Sequence, residues 1–148
     1  MNMKLSDEGL NQIAHNEGFA PKMYPDHKGY SIGYGHLLSA EEMPQYTGKT
    51  ITQDEAKVLL GQDAAKAEIY VNDTIKVPLT QAQFDALVDF TYNTGVGSLA
   101  NIAHTLNSGD YKGTAARMRL YDKVRVNGEL VQNPGLTARR KQEVQAFA

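Results

Sequence analysis

Between Gly29 and His36 the chain reads Gly-Tyr-Ser-Ile-Gly-Tyr-Gly-His, so that Tyr30, Ile32 and Tyr34 alternate with Ser31, Gly33 and Gly35. A period of two belongs to an extended strand, whose successive side chains face opposite sides, and a helix cannot gather that pattern onto one stripe. The turn residues Asp26-His27-Lys28-Gly29 precede it, which predicts a β-hairpin over Met23 to His36. One face of this hairpin is aromatic and bulky, and the other is nearly bare. A bare strand face lets a ligand or another backbone come close. The aromatic face reads as core packing rather than as a sugar platform.

Almost everything else repeats at the helical period. A first helix is predicted from Asp7 to Asn16, capped by Ser6, stopped at Gly18, and striped by Leu10, Ile13 and Ala14. Thr52 and Glu55 form a capping box ahead of a long stripe of Ala56, Leu59, Leu60, Asp63, Ala64, Ala67 and Val71. Thr80 and Gln83 form a second box, opening a core helix striped by Phe84, Leu87, Val88 and Thr91. Asn93 to Gly97 breaks that helix; Leu99, Ile102, Ala103 and Leu106 begin another, and a short one follows from Asp110 to Leu120. Val124 to Val131 reads as a small hairpin on an Asn127-Gly128 turn, and Asn133 with Pro134 opens a last helix to about Phe147. The expected class is α+β, mostly helical, with a small antiparallel sheet near the N-terminus.

Composition narrows the chemistry. A length of 148 residues suits one domain with a real core, and no repeat or low-complexity linker divides it. A formal charge of −2 gives no global pull towards nucleic acid or an anionic membrane, although a local basic patch is compatible with it. The lack of Cys excludes thiol catalysis, disulfides and thiolate metal sites. No window is apolar enough to span a membrane, and the first ten residues contain no secretory apolar run. The chain is therefore expected to be made in the cytoplasm.

Two residues break the patterning. Glu17 stands seven positions after Leu10 and closes an inward stripe with a carboxylate, and Arg140 sits amid Leu136, Val144 and Phe147 on the last helix. A carboxyl held against apolar surface resists ionisation and can serve as a general acid, while a neighbouring guanidinium pushes the other way and fixes its position. Hydrolysis of an acetal-type bond also needs a second carboxylate for water or for an oxocarbenium-like state. Asp26, nine positions on, meets that need, and Ser31 could hold a water between the two.

Each residue has a plainer role open to it. Glu17 can be a frayed helix end, Asp26 a turn stabiliser and Ser31 a small strand residue. His36 reads as a structural histidine bonded to a carboxylate, since His15, His27 and His104 make no metal-ligand spacing with it. Arg139 and Lys141 read as a solvated face, with Arg139 within reach of Glu143 at i,i+4.

These residues also carry a resemblance. Glu17-Gly18-Phe19, Met23-Tyr24-Pro25-Asp26 and Gly29 to His36 resemble the Glu…Asp…Thr-Ile-Gly-x-Gly-His signature of the phage-type lysozymes, the endolysin family that includes T-even phage lysozymes. Leu79 to Val88, Tyr92 to Gly97, Leu106 to Tyr111 and Pro134 to Arg140 are similar to its later motifs in the same order, so the resemblance covers nearly the whole chain. It implies a two-lobed lysozyme-like fold with a cleft: a sheet lobe over 18–55, a helical lobe of 1–17 and 75–148, and a connecting helix over 56–74.

It also implies hydrolysis of the β-1,4 bond between N-acetylmuramic acid and N-acetylglucosamine in bacterial peptidoglycan. Glu17 would be the proton donor, Asp26 the base or electrostatic partner, and Ser31 would stand at the family's Thr. Leu37 and Tyr92 match substrate-contacting positions. One of Arg139 and Arg140 would orient Glu17, and the stripe argument favours Arg140. Ser31 departs from the Thr, only four residues separate it from Asp26 where the pattern has five, and Ile102 falls near the family's cleft-lining Ser. The implied enzyme needs no metal or cofactor, binds no nucleic acid, does not insert into a membrane, and acts as a monomer. It reaches the wall after holin-type release, or by delivery with a virion or secretion apparatus. A lytic transglycosylase and a catalytically silent wall-binding module are the rival readings.

Overall fold

The computed structural model describes residues 2–148. Its elements run α1 (Asp7–Glu17), β1 (Ala20–Asp26), β2 (Gly29–Gly33), β3 (His36–Leu37), α2 (Met43–Tyr46), α3 (Gln53–Thr74), α4 (Gln81–Thr94), α5 (Val96–Asn107), α6 (Tyr111–Met118), β4 (Lys123–Val126), β5 (Glu129–Gln132) and α7 (Pro134–Val144), closing on a 3-10 turn (Gln145–Phe147). This is the expected α+β class, with short antiparallel strands interrupting a run of helices. Two compact units result: one is Leu10–Lys66, and the other joins Met1–Gly9 to Ala67–Ala148.

The first unit is organised by the hairpin. Strands β1, β2 and β3 form one antiparallel sheet in that order, with Asp26 paired to Gly29 and Tyr24 to Ser31 across the His27-Lys28 turn. The single predicted hairpin gains a third strand because Gly33 (φ 70°) and Gly35 (φ 82°) take left-handed backbone and fold His36–Leu37 back onto β2. At Gly33 the bare face is filled by protein. A Cβ there would lie 3.0 Å from Ala56 Cβ and 3.5 Å from Ala56 Cα, so the missing side chain admits the first turn of α3.

The capping box forms as predicted, with Glu55 N–H donating to Thr52 Oγ1 and Thr52 N–H to Glu55 Oε1, both at 3.1 Å. Ile51 N–H, 2.9 Å from Pro21 O, ties the entry of α3 to β1. Ile32, Tyr34, Leu38, Ile51, Ala56 and Leu60 are buried. Tyr30 departs from the expected aromatic core face: it is 39% exposed, because it sits next to the hairpin tip.

In the second unit α4 carries the largest buried set, including Phe84, Leu87, Val88 and Phe90, behind a Thr80–Gln83 capping box. The break after it is shorter than the sequence suggested. Gly95 alone (φ 97°) separates α4 from α5, and Val96 and Gly97 are already helical. Asp110 caps α6, accepting from Gly113 N–H at 2.8 Å, and Asn133 caps α7, accepting from Leu136 N–H at 3.0 Å with Pro134 behind it. The predicted Asn127-Gly128 turn joins β4 to β5, both its residues having positive φ. Every residue of these two strands is exposed.

Candidate functional site

Glu17 is the last residue of α1 and is half-buried. Gly18 ends the helix in left-handed conformation (φ 76°), its N–H donating to Ala14 O at 3.0 Å. The Glu17 carboxylate lies against the glycine turn of the sheet: a Cβ built on Gly35 would stand 3.3 Å from Glu17 Oε1. The bareness of this turn therefore serves two neighbours, a helix at Gly33 and a carboxylate at Gly35.

Asp26 ends β1 at the hairpin turn. In the register, Ser31 pairs with Tyr24, and Asp26 stands two residues beyond Tyr24 on the same face, so carboxylate and hydroxyl are diagonal neighbours. Ser31 Oγ donates to Asp26 Oδ2 at 3.1 Å. The four-residue separation that departs from the family pattern thus still joins the two groups. Ser31 is 1% exposed, and its hydroxyl makes this bond directly.

Lys28 N–H donates to Asp26 Oδ1 at 3.4 Å, and His27 Nδ1 lies 2.9 Å from the same oxygen. Burial alone would raise the Asp26 pKa. The bonds from Ser31 and Lys28 and the charge of His27 outweigh it and hold the carboxyl below its ordinary value. Asp26 is accordingly a carboxylate at neutral pH, the state that accepts a proton from water.

Leu37 pairs with Ser31 across β2 and β3, so Asp26, Ser31 and Leu37 share one face of the sheet. Leu37 is 44% exposed, which suits an apolar contact to a ligand. His36, on the alternate side, is held from both ends: Nδ1 lies 2.7 Å from Asp63 Oδ2 and Nε2 2.9 Å from Glu42 Oε2. Its ring is 12% exposed, and burial would lower its pKa. Hydrogen bonds and charge from Asp63 and Glu42 raise it instead. Glu42 is held low, first by the Ser39 N–H and then by His36. His36 thus has two carboxylate partners where the sequence reading expected one. Among the described residues no cluster of three or more His, Asp or Glu side chains is arranged to hold a metal ion.

The other nominated residues lie in the second unit. Tyr92 is half-buried on α4. Arg140 is 1% exposed on α7. Its Nη2 donates to Glu143 Oε2 at 2.9 Å and Asn93 Oδ1 at 2.7 Å, and its Nη1 to Tyr121 O at 3.4 Å. Its Nε stands 2.8 Å from Glu143 Oε1 as an ion-pair contact without hydrogen-bond alignment, and the guanidinium carbon lies 5.1 Å from the Phe90 ring centroid.

Arg139 corrects the sequence reading. It is 8% exposed rather than solvated, and its Nη2 donates to Asp89 Oδ1 at 2.8 Å. The anticipated Glu143 pair is a longer 3.9 Å contact. Lys141 is exposed as expected. Burial, then hydrogen bonding and charge from Asp89, push the Glu143 carboxyl up to about 10 against the pull of Arg140 and Arg139.

Sequence reasoning did not assign Asp63, Glu42 or Asp89 their parts in these networks, and it named Glu143 for Arg139 but not for Arg140. Asp63 carried a usable signal, since it stands inside the apolar stripe of α3 as Glu17 does in α1. Glu143 carried another, three positions after a buried arginine.

The family described as phage lysozyme matches residues 14–143. An endolysin of Acyrthosiphon pisum secondary endosymbiont phage 1 is 36% identical over 98% of both chains. An endolysin of Bacillus phage B103 is 37% identical over 98% of this chain, which spans 54% of that longer protein. Among solved structures, an endolysin from Escherichia coli O157:H7 phage FAHEc1 superposes with a TM-score of 0.88 at 37% identity, covering 99% of this chain and 94% of that one. The muramidase domain of SpmX from Asticaccaulis excentricus superposes with a TM-score of 0.89 at 32% identity, covering 99% and 98%.

Proposed function

The chain belongs to the phage lysozyme family and is a glycoside hydrolase of the muramidase type, and on that premise we propose that it cleaves the β-1,4 bond between N-acetylmuramic acid and N-acetylglucosamine with Glu17 as general acid and Asp26 as the water-activating carboxylate. Its substrate is bacterial peptidoglycan, and its role is lysis of the host cell at the wall. Synthesis in the host cytoplasm with holin-type release is part of the same reading. Among the described residues no helix is long and apolar enough to cross a membrane.

The observation that carries the assignment is the Ser31–Asp26 bond at 3.1 Å on the face that also presents Leu37. Ser31 donates its proton to Asp26 and helps to keep that carboxyl ionised, while Asp26 takes a proton from a water as it attacks the anomeric carbon. Glu17 gives its proton to the departing glycosidic oxygen, and its position beside Gly35 supports this by leaving backbone rather than a side chain next to the carboxylate. A carboxylate held ionised by Ser31 favours hydrolysis over a lytic transglycosylase, which has no use for a water-activating base. Leu37 and Tyr92 are assigned to sugar contact, whereas the bonds of Arg140 go to Glu143, Asn93 and Tyr121.

Turbidity loss of purified sacculi tests this directly. Glu17→Gln is expected to abolish lysis, and Asp26→Asn to reduce it at least about a hundredfold, with thermal midpoints near wild type. A near-full rate in Glu17→Gln overturns the acid assignment, and one in Asp26→Asn overturns the base. Mass spectrometry of the digest should find reducing muramic acid ends. A 1,6-anhydro product would replace hydrolysis by transglycosylation.

A further inference from the structure

Leu120, Val124, Val126, Leu130 and Val131 are all large, apolar and 37–67% exposed, and they fall within one short stretch of chain. The β4–β5 register sets Val124 opposite Val131 and Val126 opposite Glu129 on one face of the ribbon, and Arg125 opposite Leu130 and Lys123 opposite Gln132 on the other. A two-stranded ribbon has no core of its own, and this one is anchored at its base instead. Asn133 N–H donates to Asp122 O at 2.7 Å, and Gln132 Nε2 and Thr137 Oγ1 donate to Asp122 Oδ2 at 3.0 and 3.2 Å. Exposed aliphatic side chains on both faces of a short ribbon, interleaved along the strand with cations, mark an interaction site.

The charge is segregated too. Residues 111–132 contain Lys112, Arg117, Arg119, Lys123 and Arg125 against Asp122 and Glu129, in a chain whose net charge is −2. Asp122 is buried and bonded to Lys123, so Glu129 is the one exposed carboxylate of the segment. The remainder of the chain is thus more acidic than the whole, and an anionic surface would attract this side and repel the rest.

No aromatic ring joins the patch. Tyr121 turns edge-on to Phe90 with centroids 5.1 Å apart, and Tyr111 donates to Pro78 O at 2.6 Å. Single-stranded nucleic acid is gripped by stacking on rings, and hydroxylated sugars leave their hydroxyls unpaired against aliphatic groups. Aliphatic side chains flanked by Arg and Lys match the acyl boundary and headgroups of an anionic bilayer.

We propose that the β4–β5 ribbon, with Leu120, Arg117 and Arg119, docks the protein peripherally onto anionic phospholipid, the aliphatic side chains entering the headgroup boundary and the cations meeting lipid phosphates. It does so without spanning the bilayer.

Vesicle co-sedimentation tests it, using the full chain with Glu17→Gln as a control for independence from catalysis. Wild type should pellet with vesicles of phosphatidylethanolamine containing about 30% phosphatidylglycerol and remain in solution with phosphatidylcholine alone. The bound-to-free ratio should fall at least about tenfold in a Leu120→Asp/Leu130→Asp variant, and similarly when salt is raised from about 0.05 to about 0.5 M. A second variant, Arg117→Gln/Arg119→Gln, leaves the ribbon sequence intact and should lose binding as well. Both variants should clear sacculi at the wild-type rate with unchanged circular dichroism. Equal binding to neutral vesicles overturns the proposal, as does no binding to anionic ones. Sacculus pelleting lost in the Leu variant, or a concentration-dependent dimer lost there, would assign the patch to wall or to a second copy and overturn it too.

Discussion

Replacing His36 by Gln keeps a polar side chain of similar reach but removes the imidazolium between Asp63 and Glu42. Each charge-assisted bond of this kind contributes about 1.5–3 kcal/mol when shielded. The carboxylates are 28% and 31% exposed, so solvent screening reduces the pair of bonds to about 2–3 kcal/mol together. For a chain of 148 residues, about 2–4 °C of midpoint per kcal/mol gives a loss of about 5–10 °C near pH 6.

The pH dependence has a fixed sign. His36 has a folded pKa raised above its ordinary 6.5, so its contribution is complete below that value and is lost as pH rises through the folded pKa. Glu42 is lowered from 4.5, so its share is complete above that value and disappears as pH falls further. The difference in thermal midpoint between wild type and His36→Gln should therefore be largest between these two values and shrink on the alkaline side. Calorimetry across pH 5 to 10 measures it. A difference that stays flat over that range would refute the claim that the charged imidazole makes these bonds.

Three further outcomes follow from other contacts. The Glu143 carboxyl is pushed up to about 10, which favours its neutral form, so Glu143→Gln should change stability by less than about 1 kcal/mol, whereas Asp89→Ala removes a buried charge-assisted bond to Arg139 and should cost about 1.5–3 kcal/mol in urea unfolding. Gly35→Ala and Gly48→Ala both impose left-handed backbone strain, but only position 35 has a neighbour, Glu17 Oε1; lytic rate should fall about tenfold in the first variant and stay near wild type in the second. Ser31→Ala removes a donor that keeps Asp26 ionised, so the acid limb of the activity profile should move to higher pH, as read from initial rates on sacculi.

The fold was legible wherever a local rule acts alone. The capping boxes at Thr52 and Thr80, the Asn127-Gly128 turn and the Asn133-Pro134 start all form as their sequence predicts, because each is settled within four residues. Strand β3 was not legible, since two residues carry no period; it exists because two left-handed glycines reverse the chain. Of the candidate site, the Asp26–Ser31 bond follows from hairpin register once the turn length is known. Spacing along the chain pointed the other way, because it counts residues and not diagonal neighbours. The solvated reading of Arg139 failed because face arguments treat a helix in isolation, and Asp89, fifty positions earlier, supplies the partner that makes burial tolerable.

The tip of the first hairpin has a consequence for engineering. Surface loop ends of this kind are ordinarily where a chain accepts tags, grafts or whole inserted domains. Here a single added amino acid between His27 and Lys28 would give the five-residue separation of the family pattern, and a three-residue loop can absorb it without moving the paired strands. A library built by scanning insertions should therefore recover lytic clones with one residue added at this loop, as at the equally open Asn127-Gly128 bend.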